Sequence, residues 1–309
     1  MKKRCLGIAS IYAISLCSGL VFSFSNNKEV KTARALDSVE YLAFNETTKE
    51  YETKSIDTYT VLDSTVLASP LASGNYVVTT GTELVVNSIT LDFSDDCTVN
   101  IIIQDNAKFE IQQKITTNAT AVSDKVYALN FFGCPVENKQ GELVLGSNPD
   151  ASSPQTFYMT DRTPEKVDVS FQKLSYAQYF YIGSNDYMFN AKHMGFYGTT
   201  VTIAPSNTGT SRCWGIYHTS SIDMYDSSFT AENNAVYYAD RVFFSSGSFN
   251  IINTTMDLTG SQNCIYSQGL LRVINSNLLI STRYRFTEDM GILANSIVTE
   301  DSTININST

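Results

Sequence analysis

The chain has 309 residues, with 21 Lys and Arg against 31 Asp and Glu, and a formal charge of −10. That balance argues against a nucleic-acid-binding surface and against attraction to anionic lipid or strongly anionic polysaccharide, unless cations bridge the two. Only 17% of residues are charged, Tyr and Phe number 18 and 17, and no long amphipathic helical pattern occurs, which together point to an all-β secreted protein.

The amino terminus carries Lys2, Lys3 and Arg4, followed by an uncharged apolar run from Leu6 to about Phe24. This is the layout of a secretory signal peptide. "ARA" (Ala33 to Ala35) and "SFS" (Ser23 to Ser25) both have the small-x-small form of a cleavage site. The run also approaches membrane-spanning length, roughly 20 residues, so an uncleaved amino-terminal anchor is the alternative. Cleavage after Ala35 removes six basic residues and one acidic residue, leaving 15 against 30, a charge near −15. The exported chain keeps Cys97, Cys134, Cys213 and Cys264. None forms a CxxC pair, and buried single cysteines are expected rather than bridges.

After residues 1–35 as signal peptide, residues 36–74 read as an irregular amino-terminal cap, and 75–309 as the main domain. "VEYLAFNETTKEYETKSIDTYTVL" (Val39 to Leu62) is followed by "LASGNYVVTTGTELVVNSITLDFSDDCTVNIIIQDNAKFEI" (Leu71 to Ile111). This stretch resembles a module of secreted and surface proteins of gut bacteria. In that module a leading "YL" segment and a "WYVV"-like strand precede a "V-x-L-I-L-x-D-x-x-x-L-x-I" rung and a pectin-lyase-like β-helix. Asn75 to Val78 stand in the strand's place, without the Trp, and Val99 to Ile111 in the rung's place. The resemblance covers roughly Val39 to Gly146. It implies fold, export and an envelope or glycan-linked role, and it supplies no catalytic residues.

Alternating segments continue through "YALNFFG", "GELVLGS" and "YMFNAKHMGFYGTTVTI", interrupted by polar inserts such as Asn148 to Gln155 and Ala204 to Arg212. Four later segments then align. They are "GIYHTSSIDMYDSSFTA" from Gly215, "AVYYADRVFFSSGSFNI" from Ala235, "CIYSQGLLRVINSNLLI" from Cys264 and "GILANSIVTEDSTINI" from Gly291. Each has three bursts of period-2 alternation separated by short polar turns, the mark of short half-buried strands. No unit can bury its apolar face alone, so the units must stack, with strands about 4.8 Å apart between coils. The expected fold is a right-handed parallel β-helix. On this alignment Ile216, Val236 and Ile265 stack in one wall and Phe229, Phe249 and Leu278 in another. Ser227, Gly247, Ser276 and Ser302 form a row of small turn residues.

A catalytic β-helix needs clustered acid–base groups on adjacent coils. Of the motifs typical of polygalacturonases only Asp95-Asp96 fits, in a turn before the repeats. The two histidines, His193 and His218, lie in no Gly-His-Gly. Arg241 and Arg272 occupy nearby repeat positions beside Asp223, Asp226 and Asp240, where a surface salt-bridge row competes with a shared groove. No catalytic residue, cofactor or metal is expected, although carboxylates holding Ca²⁺ remain an alternative.

The candidate binding residues are an aromatic strip. Tyr217, Tyr237 and Tyr266 share one repeat position, each after an inward aliphatic residue, with Trp214 and His218 flanking the first. Such a strip suits the apolar faces of sugar rings; an aromatic ladder that stiffens the sheet is the competing reading. The sequence thus suggests a non-catalytic, carbohydrate-binding or adhesin-like module, secreted or on a bacterial surface. A polysaccharide-active enzyme and a structural envelope component are the alternatives. The alternation still runs at "DSTININST", so the last coil is expected either to pair end to end with another chain or to continue in a longer one.

Overall fold

The computed structural model describes residues 38–308, apart from 120–121, 123, 135–139, 149–165, 181–186, 190, 206–212, 232–238, 261–262 and 283–290. The expected leader, both of its candidate cleavage sites and the insert Asn148 to Gln155 fall largely or wholly outside the described residues. Among those described, no helix is long and apolar enough to cross a membrane.

The chain is a β-solenoid of stacked parallel coils. Three walls enclose the core. One is a nine-stranded parallel sheet from Glu83–Leu91 to Thr303–Ser308. The other two join into one sheet, because the strand Asn263–Ile274 turns the corner between them. Its first part pairs with Ala239–Ser245 and its second with Phe249–Ile252. Inward positions are apolar and almost wholly buried. One interior column runs Val99, Leu129, Val169, Met194, Ile222, Phe249, Leu271. Aromatic rings form a file along the axis: Phe131, Phe171, Phe196, Phe229, Phe243 and Phe249, with successive centroids 5.0–5.8 Å apart. Ring pairs at this separation add to the burial term.

The register corrects the repeat alignment. Ile216 lies beside Phe243, and Phe243 beside Ile265, so Phe243 holds the place in this row that the alignment gave to Val236, which lies outside the described residues. Phe249 lies between Ile222 and Leu271, whereas Phe229, Met256 and Leu278 form their own row in the nine-stranded wall. The slip has a simple source. "VYY" at Val236 and "VFF" at Val242 carry the same pattern, and a period-2 signal cannot tell which of two such triplets enters the stack. The true offsets in this column are 27, 22 and 26 residues (222 to 249, 249 to 271, 271 to 297).

One corner repeats with clear chemistry. Gly198, Asp226, Asn253, Asn275 and Asp301 all have positive φ, between 46° and 58°. Asn and Asp tolerate that region better than other side chains. Each is followed by a hydroxyl residue: Thr199, Ser227, Thr254, Ser276, Ser302. The backbone N–H of each of the first four donates to the next hydroxyl, at 3.1, 3.4, 3.0 and 3.0 Å. Ser227, Ser276 and Ser302 also donate their own protons to the carbonyl two residues back. The expected row of small residues is therefore real at Ser227, Ser276 and Ser302, with Thr254 in place of Gly247. Side-chain amides form a second row outside it, from Asn275 to Asn253 and from Asn253 to Asp226.

Within the stretch read as an irregular amino-terminal cap, residues 36–74, the first part is a regular element. Val39–Asn45 and Glu50–Ile56 form an antiparallel hairpin, closed by Asn45, whose side chain accepts the N–H groups of Thr47 and Thr48. The hairpin lies along the outside of the solenoid. Val39, Tyr41, Ala43 and Ile56 form an apolar cluster with Val61, Val77, Ile102 and Phe132, which occupy one outward column. That column continues in register through Gln172, Tyr197 and Tyr225. Phe44 packs on the Tyr197 and Tyr225 rings, 4.5 and 4.9 Å away. Lys49 sits 5.0 Å over Tyr225, and Lys173 4.0 Å over Tyr51. Five strand spacings, about 24 Å, separate Val77 from Tyr225, close to the length of a seven-residue strand. Val66 and Leu67, in a short 3₁₀ turn, pack instead against the main core.

Cys97, Cys134 and Cys264 are free thiols. Burial pushes Cys97 and Cys134 up to about 11 and Cys264 up to about 12. At pH 8 their thiolate fractions are small, and the thiolate is the nucleophile. Iodoacetamide at pH 8 is expected to leave Cys97 and Cys264 unmodified in the native chain and to alkylate both in urea. Peptide mapping reads the result, and native alkylation of Cys264 would contradict its burial.

Candidate functional site

The strands that the hairpin crosses carry a second outward column, two residues away from the covered one. It runs Asn75, Asn100, Asn130, Ser170, Gly195, Asp223, Asn250, Arg272. The three asparagines are half-buried beside the hairpin. Asn130 donates to Asn100 and Asn100 to Asn75, both at 3.0 Å, while the Ser170 hydroxyl donates to Asn130 at 2.7 Å. A side-chain amide has two N–H groups and two lone pairs. Each ladder bond uses one donor or one acceptor position, so Asn100 and Asn130 each keep one N–H and one lone pair that the ladder does not use.

Gly195 interrupts the ladder for a steric reason. A Cβ there would lie 2.4 Å from the Tyr197 ring, which folds across the strip at this point. Polar groups gather around that ring. The Tyr197 hydroxyl donates to Glu46 of the hairpin at 3.1 Å. Burial first, and the Glu46 carboxylate second, push its phenol well above the usual range, so it stays neutral. His193 Nε2 lies 3.5 Å from the same hydroxyl and 3.8 Å from Asp223 Oδ2, and His193 Nδ1 is 2.8 Å from Ser221 Oγ. Beyond the break Asn250 donates to Asp223.

The sequence-derived aromatic strip is only partly in view. Trp214, Tyr217 and His218 belong to the strand Cys213–Thr219, but their side chains lie outside the described residues, as does all of Tyr237. Tyr266 is described. It lies beside Phe244 in register, with ring centroids 4.9 Å apart in an edge-on arrangement. Arg241 and Arg272 stand at different places in the strand register, and the Arg241 side chain lies outside the described residues. Arg241 lies between Trp214 and Asn263 on one wall, and Arg272 beside Asn250 on the next. Among the described residues no three His, Cys, Asp or Glu side chains are grouped to hold a metal ion.

Sequence reasoning missed the amide ladder, although its signal is present. Asn precedes an apolar run three times: Asn75 before "YVV", Asn100 before "III", Asn130 before "FF". An outward Asn next to residues apolar on both faces marks a polar strip along a covered one. The chain matches no family model, no curated protein and no solved structure.

Proposed function

We propose that this chain is an exported, non-catalytic β-helix protein that binds an uncharged glycan on its outer face, as a secreted or surface-attached adhesin-like module. One observation carries the reading: the in-register run of Asn75, Asn100, Asn130 and Ser170, hydrogen-bonded in series and still holding donors and acceptors in reserve. Spare amide groups repeating at each strand spacing, about 4.8 Å, suit a polyhydroxylated polymer lying along the axis. The acidic surface disfavours an anionic polymer. Trp214, Tyr217, His218, Tyr237 and Tyr266 remain a second candidate contact.

A glycan array with the exported chain tests the reading. Asn100→Leu together with Asn130→Leu is expected to weaken binding at least about tenfold, with the melting temperature changed by no more than about 4 °C, as for a loss near 1 kcal/mol. If melting collapses instead, the ladder is structural and the binding role fails.

A polysaccharide-active enzyme is the second reading. It is favoured by Ser221 and His193, a hydroxyl within hydrogen-bond reach of an imidazole nitrogen at 2.8 Å, with the Asp223 carboxylate 3.8 Å from the other ring nitrogen. Release of reducing sugar or of an acyl group from an array-positive glycan, lost in His193→Gln, separates the two readings.

A further inference from the structure

We propose that Gln172 is a positioning residue that joins the hairpin to the amide ladder, so that docking of the hairpin fixes the direction in which every ladder amide points. Its functional meaning rests on the glycan reading; its geometry does not.

Gln172 is a polar residue in a column that is otherwise apolar or aromatic beneath the hairpin, and it is only 8% exposed. An amide in that position is tolerated when both of its ends are bonded. Gln172 Oε1 accepts the backbone N–H of Phe44 at 2.8 Å, and its Nε2 donates to Ser170 Oγ at 2.9 Å. Ser170 donates to Asn130 Oδ1, Asn130 to Asn100, Asn100 to Asn75, and Asn75 to the Thr58 carbonyl at 3.5 Å. All six donors point one way, from the hairpin toward the first coil.

The direction is set from the hairpin end, link by link. A backbone N–H can only donate, so the docked hairpin requires a carbonyl oxygen from Gln172. The Gln172 NH₂ must then face Ser170. A hydroxyl has one proton, and with Gln172 donating to its oxygen, Ser170 delivers that proton to Asn130. The Asn130 oxygen is thereby turned toward Ser170 and its NH₂ toward Asn100, and the same follows at Asn75. With the hairpin lifted, the Gln172 amide is free to rotate by half a turn. Ser170 can then donate to Gln172 instead, and the asparagines are left with a single anchor, the long 3.5 Å contact of Asn75 with the Thr58 carbonyl. A ligand that needs the spare donors and acceptors in one arrangement therefore binds the docked form more tightly, and by linkage it favours docking.

The test uses the exported chain labelled with ¹⁵N and no ligand, so it stands apart from the outcome of the glycan array. Gln172→Met keeps the length and apolar bulk while removing both bonds. Exchange of the Phe44 amide is expected to accelerate at least about tenfold, and the side-chain amide signals of Asn130 and Asn100 are expected to shift or broaden. Gln172→Glu keeps an acceptor for Phe44 but cannot donate to Ser170. Phe44 should stay protected while the Asn130 and Asn100 signals still change, because Ser170 now donates to Glu. Unchanged Asn130 and Asn100 side-chain signals in the Gln172→Met chain would overturn the proposal. So would unchanged signals in the Gln172→Glu chain.

Discussion

Phe249→Ala is expected to destabilise the protein by about 3–5 kcal/mol, the range for truncating a fully buried phenylalanine. Phe249 is 0% exposed, lies between Ile222 and Leu271, and meets the Phe243 ring at 5.8 Å. Neighbouring coils are held at strand spacing by their own hydrogen bonds, so the walls cannot close on the void. The change should appear as a lower urea midpoint with an unaltered slope. A loss under about 1 kcal/mol would mean that the ring is not part of the interior file.

The opposite error, too much volume, is expected at Gly133. A Cβ there would stand 1.8 Å from the Lys173 carbonyl oxygen and 2.7 Å from its carbon. These are backbone atoms of a corner residue with φ of 51°, and its N–H is bonded to the Tyr197 carbonyl at 2.8 Å. Neither side can give by rotating a side chain. Gly133→Ala should therefore reach the upper end of overpacking losses, about 3 kcal/mol. The shift of Lys173 should also disturb its contact with Tyr51 on the hairpin. The same urea titration, followed by near-ultraviolet tyrosine dichroism, checks both effects. A neutral substitution would show that the two coils do not approach as described.

Alternation made the solenoid readable. "SIDMY", "SFTA" and "NLLIST" each show one apolar face, and each is a strand with that face inward. Register was less readable where two similar triplets competed, at Val236 and Val242, because the choice depends on which ring fills the interior beside Ile216 and Ile265. The hairpin strands alternate too, but where the ribbon docks is a tertiary matter. A trace of it existed in the strands beneath. Ile101, Ile102 and Ile103 are consecutive and all buried, as are Phe131 and Phe132, and runs apolar on both faces require a cover outside as well as a core inside. The His193 group was illegible because its members come from different coils and from the hairpin, at separations of 4, 28 and 151 residues.

The hairpin also changes the mechanics of the array. In a simple solenoid each coil is coupled only to its neighbours, so the stack behaves as a one-dimensional chain that frays from its ends. A ribbon running parallel to the axis and bonded from Val77 to Tyr225 adds a long-range coupling. It acts as a tie rod beside the inter-coil hydrogen bonds. Tension along the axis then loads the ribbon's contacts in shear over several coils at once, instead of opening one coil at a time. The stiffness ends where the rod ends. Past Tyr225 the same outward column carries Ile252, Ile274 and Glu300 with no ribbon residue among their described contacts, so among the described residues those coils are coupled through their neighbours. The molecule is thus a graded rod, cooperative and stiff over its first coils and compliant over its last.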